Sequence, residues 1–512
     1  LISGDNPQWG VVEAGSNPYA APTTYYYYNV FEELDTAGEW YLDRNEGKLY
    51  VYPEKNIEEC EFYYALGNVV PFTVNRANNV VFNGIEFCNG SSDGMNLNGC
   101  KNVIVQNCKF SNFTGTGVRI SDCRNSGLTT CEIYNTEQYG VLICDNGDEY
   151  KNLIPCRNFV QNCTITRQEN TSQKPGVATK TTVGAVISHN LFQNFSADAI
   201  NPDGAENVVE YNEISGACRD VRDMGAIYWA GMFNRGTHIR YNYIHDPSLI
   251  KKTGHAVYLD QMGSDCYIYG NVIDGFNTGF YTHGGREIAV YNNVFVNRQY
   301  QGSYFFLDSG NYYEKYSNVF YENMTPDGYL KLYSSGQIDL KSGAWKMRYP
   351  NFYDYILKVD RYLADKDTEG YVWDYKWNDS DGNVQNEAEV RAPVGHYIVN
   401  NVSYGNTGIS QIAVGKNNAC ANEPNCVTAE NPGFADVDNK NYNLVPNNEI
   451  TDALEGFEAP PFEKMGLVTH NAEWDVKRQN ALSGIYPVNG ETTSASEVSF
   501  NWTAIPFSSY YT

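Results

Sequence analysis

The chain has 512 residues, 42% of them apolar, with 61 acidic against 36 basic side chains and a formal net charge of −25. Such a surface repels phosphate backbones, which argues against nucleic acid as a partner, and it disfavours a polyanionic ligand unless a local basic groove or bound cations intervene. No apolar run approaches the ~18 residues of a membrane span, and 45 scattered glycines suit a folded, turn-rich protein rather than a disordered one.

The chain opens on Leu1 with neither an initiating methionine nor an export signal, so it is expected to be a processed or excised piece. Residues 1–70 read as an N-terminal β-module, because GEWYLDRNEGKLYVYP at 38–53 alternates around a polar Asn-Glu-Gly turn, the pattern of a hairpin.

From 71 to 325 the sequence repeats. Short β-rich runs end on Phe87, Phe110, Ile133, Ile165, Phe192, Ile214, Ile244, Ile273, Phe295 and Phe320, at spacings of 23, 23, 32, 27, 22, 30, 29, 22 and 25. A core of about two dozen residues with variable insertions describes the coils of one solenoid. Two residues before these anchors stand Cys108, Cys131 and Cys163, then Asn190, Asn212, Asn242, Asn271, Asn293 and Asn318. Identical side chains stacked ~4.8 Å apart form ladders, so this position is expected to face inward. Cys100 and Cys123, each ten before its anchor, suggest a second stack. Buried free thiols are the expected state of these cysteines, since no CxxC pair argues for metal, and no metal or cofactor is called for. With no helical period and no leucine-rich or propeller signature, the repeat predicts an all-β fold, a parallel β-helix.

Residues 326–395 interrupt the solenoid with a partly helical insertion in which Trp345, Tyr353, Ile356, Leu357 and Val359 give a helical apolar pattern. Its helix, at 340–365, is expected to fold back near the solenoid's aromatic face as a wall, or else to cover an exposed coil. YIVNNVSYGN at 397–406 resumes the coils, and 396–485 is expected to supply the last coils and a C-terminal cap. Cys420 and Cys426 lie close enough in sequence for a local disulfide. Residues 486–512 resemble a linker and the opening strands of a fibronectin-III-like sandwich.

The candidate site comes from aligning one strand of successive coils: AINPDG (199–204), AIYWAG (226–231), AVYLDQ (256–261), GFYTHG (279–284) and YFFLDS (304–309). Strand residues alternate between faces, and the second and fourth positions are mostly apolar, so the third and fifth are expected outside. The third positions form an aromatic column of Tyr228, Tyr258 and Tyr281 after Asn201. The fifth positions read Asp203, Ala230, Asp260, His283 and Asp308. Tyrosines suit stacking on a sugar ring, and paired carboxylates ~5 to ~9.5 Å apart suit glycoside hydrolysis. Asp223 enters from the turn before its strand, one coil below Asp260. Each aspartate alone reads as a turn former; the column is what points to a site. Asp220 and Arg222 read as braces of their turn, and Arg286 flanks the column.

DMGAIYW, IRYNYIHD, AVYLDQ and THGGREIAVYNNVF resemble the DxGAIY, IRYNxIHD, GIYLDD and HGGRDNxVxNNxF pattern of bacterial right-handed parallel β-helix proteins that include glycoside hydrolase family 141. GEWYLDRNEGKLYVYP and NPGFADVDNKNYNLVP extend the resemblance over most of residues 1–470. It implies a secreted or cell-surface bacterial enzyme acting on an oligosaccharide or polysaccharide, with Asp223 and Asp260 as the acid–base pair. Asp203, Tyr228, Tyr258, Tyr281, His283, Arg286 and Asp308 are then the substrate-binding set. Gln261 stands where the pattern has its second aspartate. Family 120 β-xylosidases are similar at Asp260, but their acid/base glutamate falls near Thr282 and His283, where this chain has no carboxylate. Two other classes fit the same fold: a polysaccharide lyase or uronate epimerase, which would need a Lys or Arg base, and a carbohydrate-binding adhesin.

Overall fold

In the computed structural model the described residues are 29–63, 67–167, 173–221, 223–247, 254–276, 278–283, 285–296, 305–307, 338, 343–356, 376–378, 384–386, 395–405, 420–421, 425–428 and 430–468. Two compact units emerge, Leu1–Tyr64 and Ala65–Thr512. The first contains the expected hairpin, Trp40–Asp43 paired antiparallel with Lys48–Val51.

The second unit is a solenoid of three parallel sheets. Among the described residues the first sheet has ten strands, from Phe72–Asn75 to Phe305–Leu307; the second and third have eleven each, ending at Cys420–Ala421 and Cys426–Thr428. Up to Phe305–Leu307 each coil contributes one strand to each sheet, and like positions pair in register: Ile214 with Ile244, Ile244 with Ile273, Ile273 with Phe295. From Phe110 to Phe295 the anchors therefore stack in the bore, where they are almost wholly buried.

The ladder lies inside. The backbone N–H of Cys108 donates to Cys131 Sγ at 3.4 Å, Cys131 to Cys163 Sγ at 3.4 Å, and Cys163 to Asn190 Oδ1 at 2.9 Å. From Asn212 onward each Oδ1 accepts both the backbone N–H and the Nδ2–H of the asparagine one coil earlier, as at Asn242, 3.0 and 2.9 Å from Asn212. Each Nδ2 also donates to a buried carbonyl, such as that of Val209 for Asn242. The side-chain amide is thereby saturated, which is why asparagine is stable in an otherwise apolar bore. Asn318 lies outside the described residues. The rung after Asn293 is Asn401, followed by Asn425.

That rung locates the insertion. Phe305–Leu307 continues the first sheet, whereas the matching strands of the second and third sheets are His396–Val399 and Val402–Tyr404. The chain leaves at the corner between first and second sheets, and its helices, Gly343–Arg348 and 350–356, pack on that same corner. Trp345, Phe352 and Ile356 are buried with Tyr150, Phe233 and Met262. Trp345 Nε1 donates to the Tyr150 carbonyl at 3.0 Å, and Arg348 and Tyr349 hold Glu206. The helices thus cover the corner beside the Asp260 end of the first sheet, and their buried cluster contains none of the tyrosine column.

Residues 431–468 run along the outer face of the third sheet. The hairpin Phe434–Asp436/Asn441–Leu444 and the helix Glu449–Ala453, capped by Asn448, bury Phe434, Tyr442, Ile450 and Leu454 on Tyr243, Val272, Val294 and Val402. This strap covers the third sheet from the side. It descends past Asp274 (Tyr442 Oη, 2.7 Å), Asp246 (Lys440 Nζ, 2.6 Å) and the Tyr211 carbonyl (Gly466 N, 2.8 Å) to Asn162 (Val468 N, 2.9 Å). Cys426 is a free thiol on a strand of the last coil, so the expected bridge to Cys420 is not formed. Residues 486–512 lie outside the described ones.

Candidate functional site

The outer face of the first sheet carries the aromatic column in register. Tyr228 pairs with Tyr258, Tyr258 with Tyr281 and Tyr281 with Phe306, while Ile227, Trp229, Val257, Leu259 and Phe280 point into the bore. Tyr228 and Tyr258 meet edge to face with centroids 5.2 Å apart, and Tyr258 and Tyr281 lie 4.6 Å apart.

Asp260 ends its strand beside this column, where three donors converge on it. The Tyr228 hydroxyl donates to Oδ2 at 2.9 Å, while Oδ1 lies 2.9 Å from His283 Nδ1 and accepts the Gln261 backbone N–H at 2.7 Å. Burial pushes this carboxyl up, but the bonds from His283, Tyr228 and Gln261 outweigh it and hold Asp260 below the usual carboxylate range. Asp260 is a carboxylate, not a proton reservoir. The one-coil spacing expected for Asp260 and His283 is realised as direct contact.

Asp223 lies exposed in the turn before Gly225–Ala230. Its charge and that of Asp260 both act on Tyr258, whose phenol is driven well up, first by burial and then by Asp260 and Asp223. Asp203 is half-buried two strands from Asp260 at the same strand end, with only Ala230 between them. Burial pushes it up to about 6, against the pull of Lys180 and a bond from Asn234. Arg286 faces away from the column, its guanidinium 4.2 Å from the centre of the Tyr355 ring. Asp308 and Arg222 lie outside the described residues.

His255 belongs to the site as well. Its ring stacks on Tyr281 (4.5 Å, 15°) and meets Tyr258 edge-on at 5.0 Å. Burial lowers it to about 4 although Asp260 opposes this, so the ring is neutral at pH 7, with a buried Nδ1 that has no hydrogen-bond partner among the described residues. Its signal in the sequence was faint, since it precedes the alternating run by one residue. Among the described residues no group of His, Cys, Asp and Glu is arranged to hold a metal.

Residues 41–171 and 152–295 match the family model of the right-handed β-helix region. The chain is a right-handed parallel β-helix. None of the curated proteins matches its sequence. Among solved structures, this β-helix is similar to one described as a glycoside hydrolase, at 15% identity and a TM-score of 0.42, over 52% of this chain and 57% of the other. It is also similar to the PL6 family alginate lyase AlyGC (13%, TM-score 0.40, 78% of this chain and 56% of that one). A third is the PL6 family polysaccharide lyase Pedsa3628 from Pseudopedobacter saltans (12%, TM-score 0.32, 78% and 99%). The β-helix thus spans little more than half the length of the first two structures.

Proposed function

We propose that this β-helix is a glycoside hydrolase that cleaves an oligosaccharide or polysaccharide laid across the tyrosine column. The observation that carries the reading is the clamped Asp260 carboxylate, held ionised by His283, Tyr228 and the Gln261 N–H beside an aromatic platform. An ionised, oriented carboxylate serves as nucleophile or as the base that activates water. Tyr228 and Tyr281, the half-buried members of the column, take the apolar face of a sugar, with Tyr258 buried behind them.

The proton for the leaving group must come from a second acid. Asp223 is the first candidate, because its charge and that of Asp260 converge on Tyr258. Asp203 is the alternative donor: it is pushed up to about 6, and two coil steps, ~9.6 Å, separate it from the Asp260 strand. That gap, open over Ala230, approaches the spacing of inverting enzymes.

Screening a glycan panel for released reducing sugar tests the activity. Release with an unsaturated, ultraviolet-absorbing product would replace hydrolysis by lyase chemistry, and binding without release would leave an adhesin. Aryl glycosides with good leaving groups then separate the roles. The variant lacking the acid should keep activity on them while losing it on the natural glycan, whereas Asp260→Asn should lose both.

A further inference from the structure

The net charge of −25 hides a local reversal on the same face of the same sheet. Lys174 and Lys180 both reach one aromatic ring, their Nζ atoms 5.8 and 5.3 Å from the centre of Tyr139. Both lysines are exposed, and Tyr139 is half-buried. Among the described residues no carboxylate lies within ion-pair distance of Lys180. Asp203 feels its charge, and Asp198 feels that of Lys174, but burial works against the ionised form of both aspartates. The nearby Arg119 is neutralised by Asp93 at 2.8 Å.

Lys180 opens a deformed stretch of its strand. The register of Val177–Val183 against Ile200–Ala205 slips between Thr179 and Thr182, a bulge that contains Lys180 and Thr181. Thr181 sits at φ 51°, a left-handed conformation that a β-branched residue avoids, and its hydroxyl is tied to the Asp145 carbonyl at 3.1 Å. The strand of Lys180 lies three steps from that of Asp260 in the sheet, ~14 Å along the axis, with Asn201 and Tyr228 as the outward residues of the two strands between. A glycan chain following the axis from Asp260 would cross Tyr139.

Resting on the hydrolase reading of Asp260, we propose that Tyr139, Lys174 and Lys180 form a distal subsite for an acidic sugar, one bearing a carboxylate or a sulfate ester. The substrate class is then a glycan that is neutral where it is cut and carries an acidic unit a few sugars away. A fully charged polymer would meet the acidic remainder of the surface and be repelled. Tyr139 supplies the stacking face, and the two ammonium groups supply point charges that tolerate either anion.

Binding to the Asp260→Asn protein, measured by calorimetry, tests this without requiring turnover. The probes are plant, algal and host tetra- to hexasaccharides carrying one uronate or one sulfate, each beside its carboxyl-reduced or desulfated counterpart. The expected result is that an acidic probe binds about 10-fold or more tightly than its neutral counterpart. Lys180→Met and Lys174→Met should each shrink that ratio, and added salt should do the same. The uronate and sulfate arms identify which anion is preferred. Equal binding of acidic and neutral counterparts, no binding of any acidic probe, or a charge preference untouched by both lysine substitutions would each overturn the proposal. Charge-dependent binding by a wild-type protein that cleaves nothing would instead sink the hydrolase reading and leave the subsite standing.

Discussion

Asp260 keeps its charge because three donors outweigh its burial, and that balance predicts how the site responds to pH. Activity that needs the Asp260 carboxylate should persist as pH falls and fail only below the usual carboxylate range. If Asp203 is the acid, activity should also decline as pH rises through about 6, where that proton is lost. Tyr228→Phe removes one donor, so the acidic limb of kcat/KM should move upward, and a pH–rate profile that does not move would refute the clamp. Asp260→Asn should lower kcat by about 10²- to 10⁴-fold with the fold intact, as circular dichroism would verify. A second titration concerns stability. His396 is buried, neither ring nitrogen has a partner among the described residues, and burial, with Arg286 nearby, lowers it to about 4. Below its unfolded value of 6.5 the unfolded chain takes a proton that the folded chain refuses, so stability present above pH 6.5 drains away as pH falls toward 4. His396→Leu should therefore gain about 2 kcal/mol relative to wild type on going from pH 8 to pH 5 in denaturant melts. At this scale the column was legible, because alternation and coil length alone decide which side chains become neighbours. Asp260's three bonds were not: His283 was placed near it, but the Tyr228 bond depends on how two outward side chains bend toward each other.

Among elements, the ladder was the most readable, because a buried polar residue repeated at one strand position has no other stable use. Asn242→Ala should cost about 2–4 kcal/mol, since it strands the backbone N–H and Nδ2–H of Asn212 in the bore. Asn242→Cys should cost less, because a thiol accepts the backbone N–H as Cys131 does for Cys108. Chemical melts of both variants decide this, and equal losses would deny the thiol its part in the ladder. The sequence misled at the insertion. Asn318 before Phe320 copies the rung pattern, yet the next rung after Asn293 is Asn401, and only three-dimensional pairing distinguishes them. The helical pattern around Trp345 was right, whereas its docking place was not recoverable, since the corner that receives it is built by Tyr150, Phe233 and Met262 from three separate coils.

At the scale of the molecule, a solenoid whose coils touch only their neighbours tends to fray from its ends. The strap counters this by touching coils from Tyr404 back to Asn162. Truncation before residue 431 should expose the apolar face of Tyr243, Val272 and Val294 and broaden the unfolding transition of the later coils, which hydrogen exchange would localise to residues 208–296. The strap could not be foreseen, because NPGFADVDNKNYNLVP shows a hairpin without showing which surface it covers.

The split final coil also bears on how the molecule comes to be folded. Up to Asn293 each rung joins residues 22 to 32 apart, so coils can stack one after another as the chain emerges from the ribosome. The Asn293–Asn401 rung spans 108 residues. Until that length has been synthesised, the growing tip presents open strand edges on the second and third sheets, and closing them must await a long loop search. The insertion that shelters one corner of the finished protein therefore sets the slowest and most aggregation-prone moment of its birth.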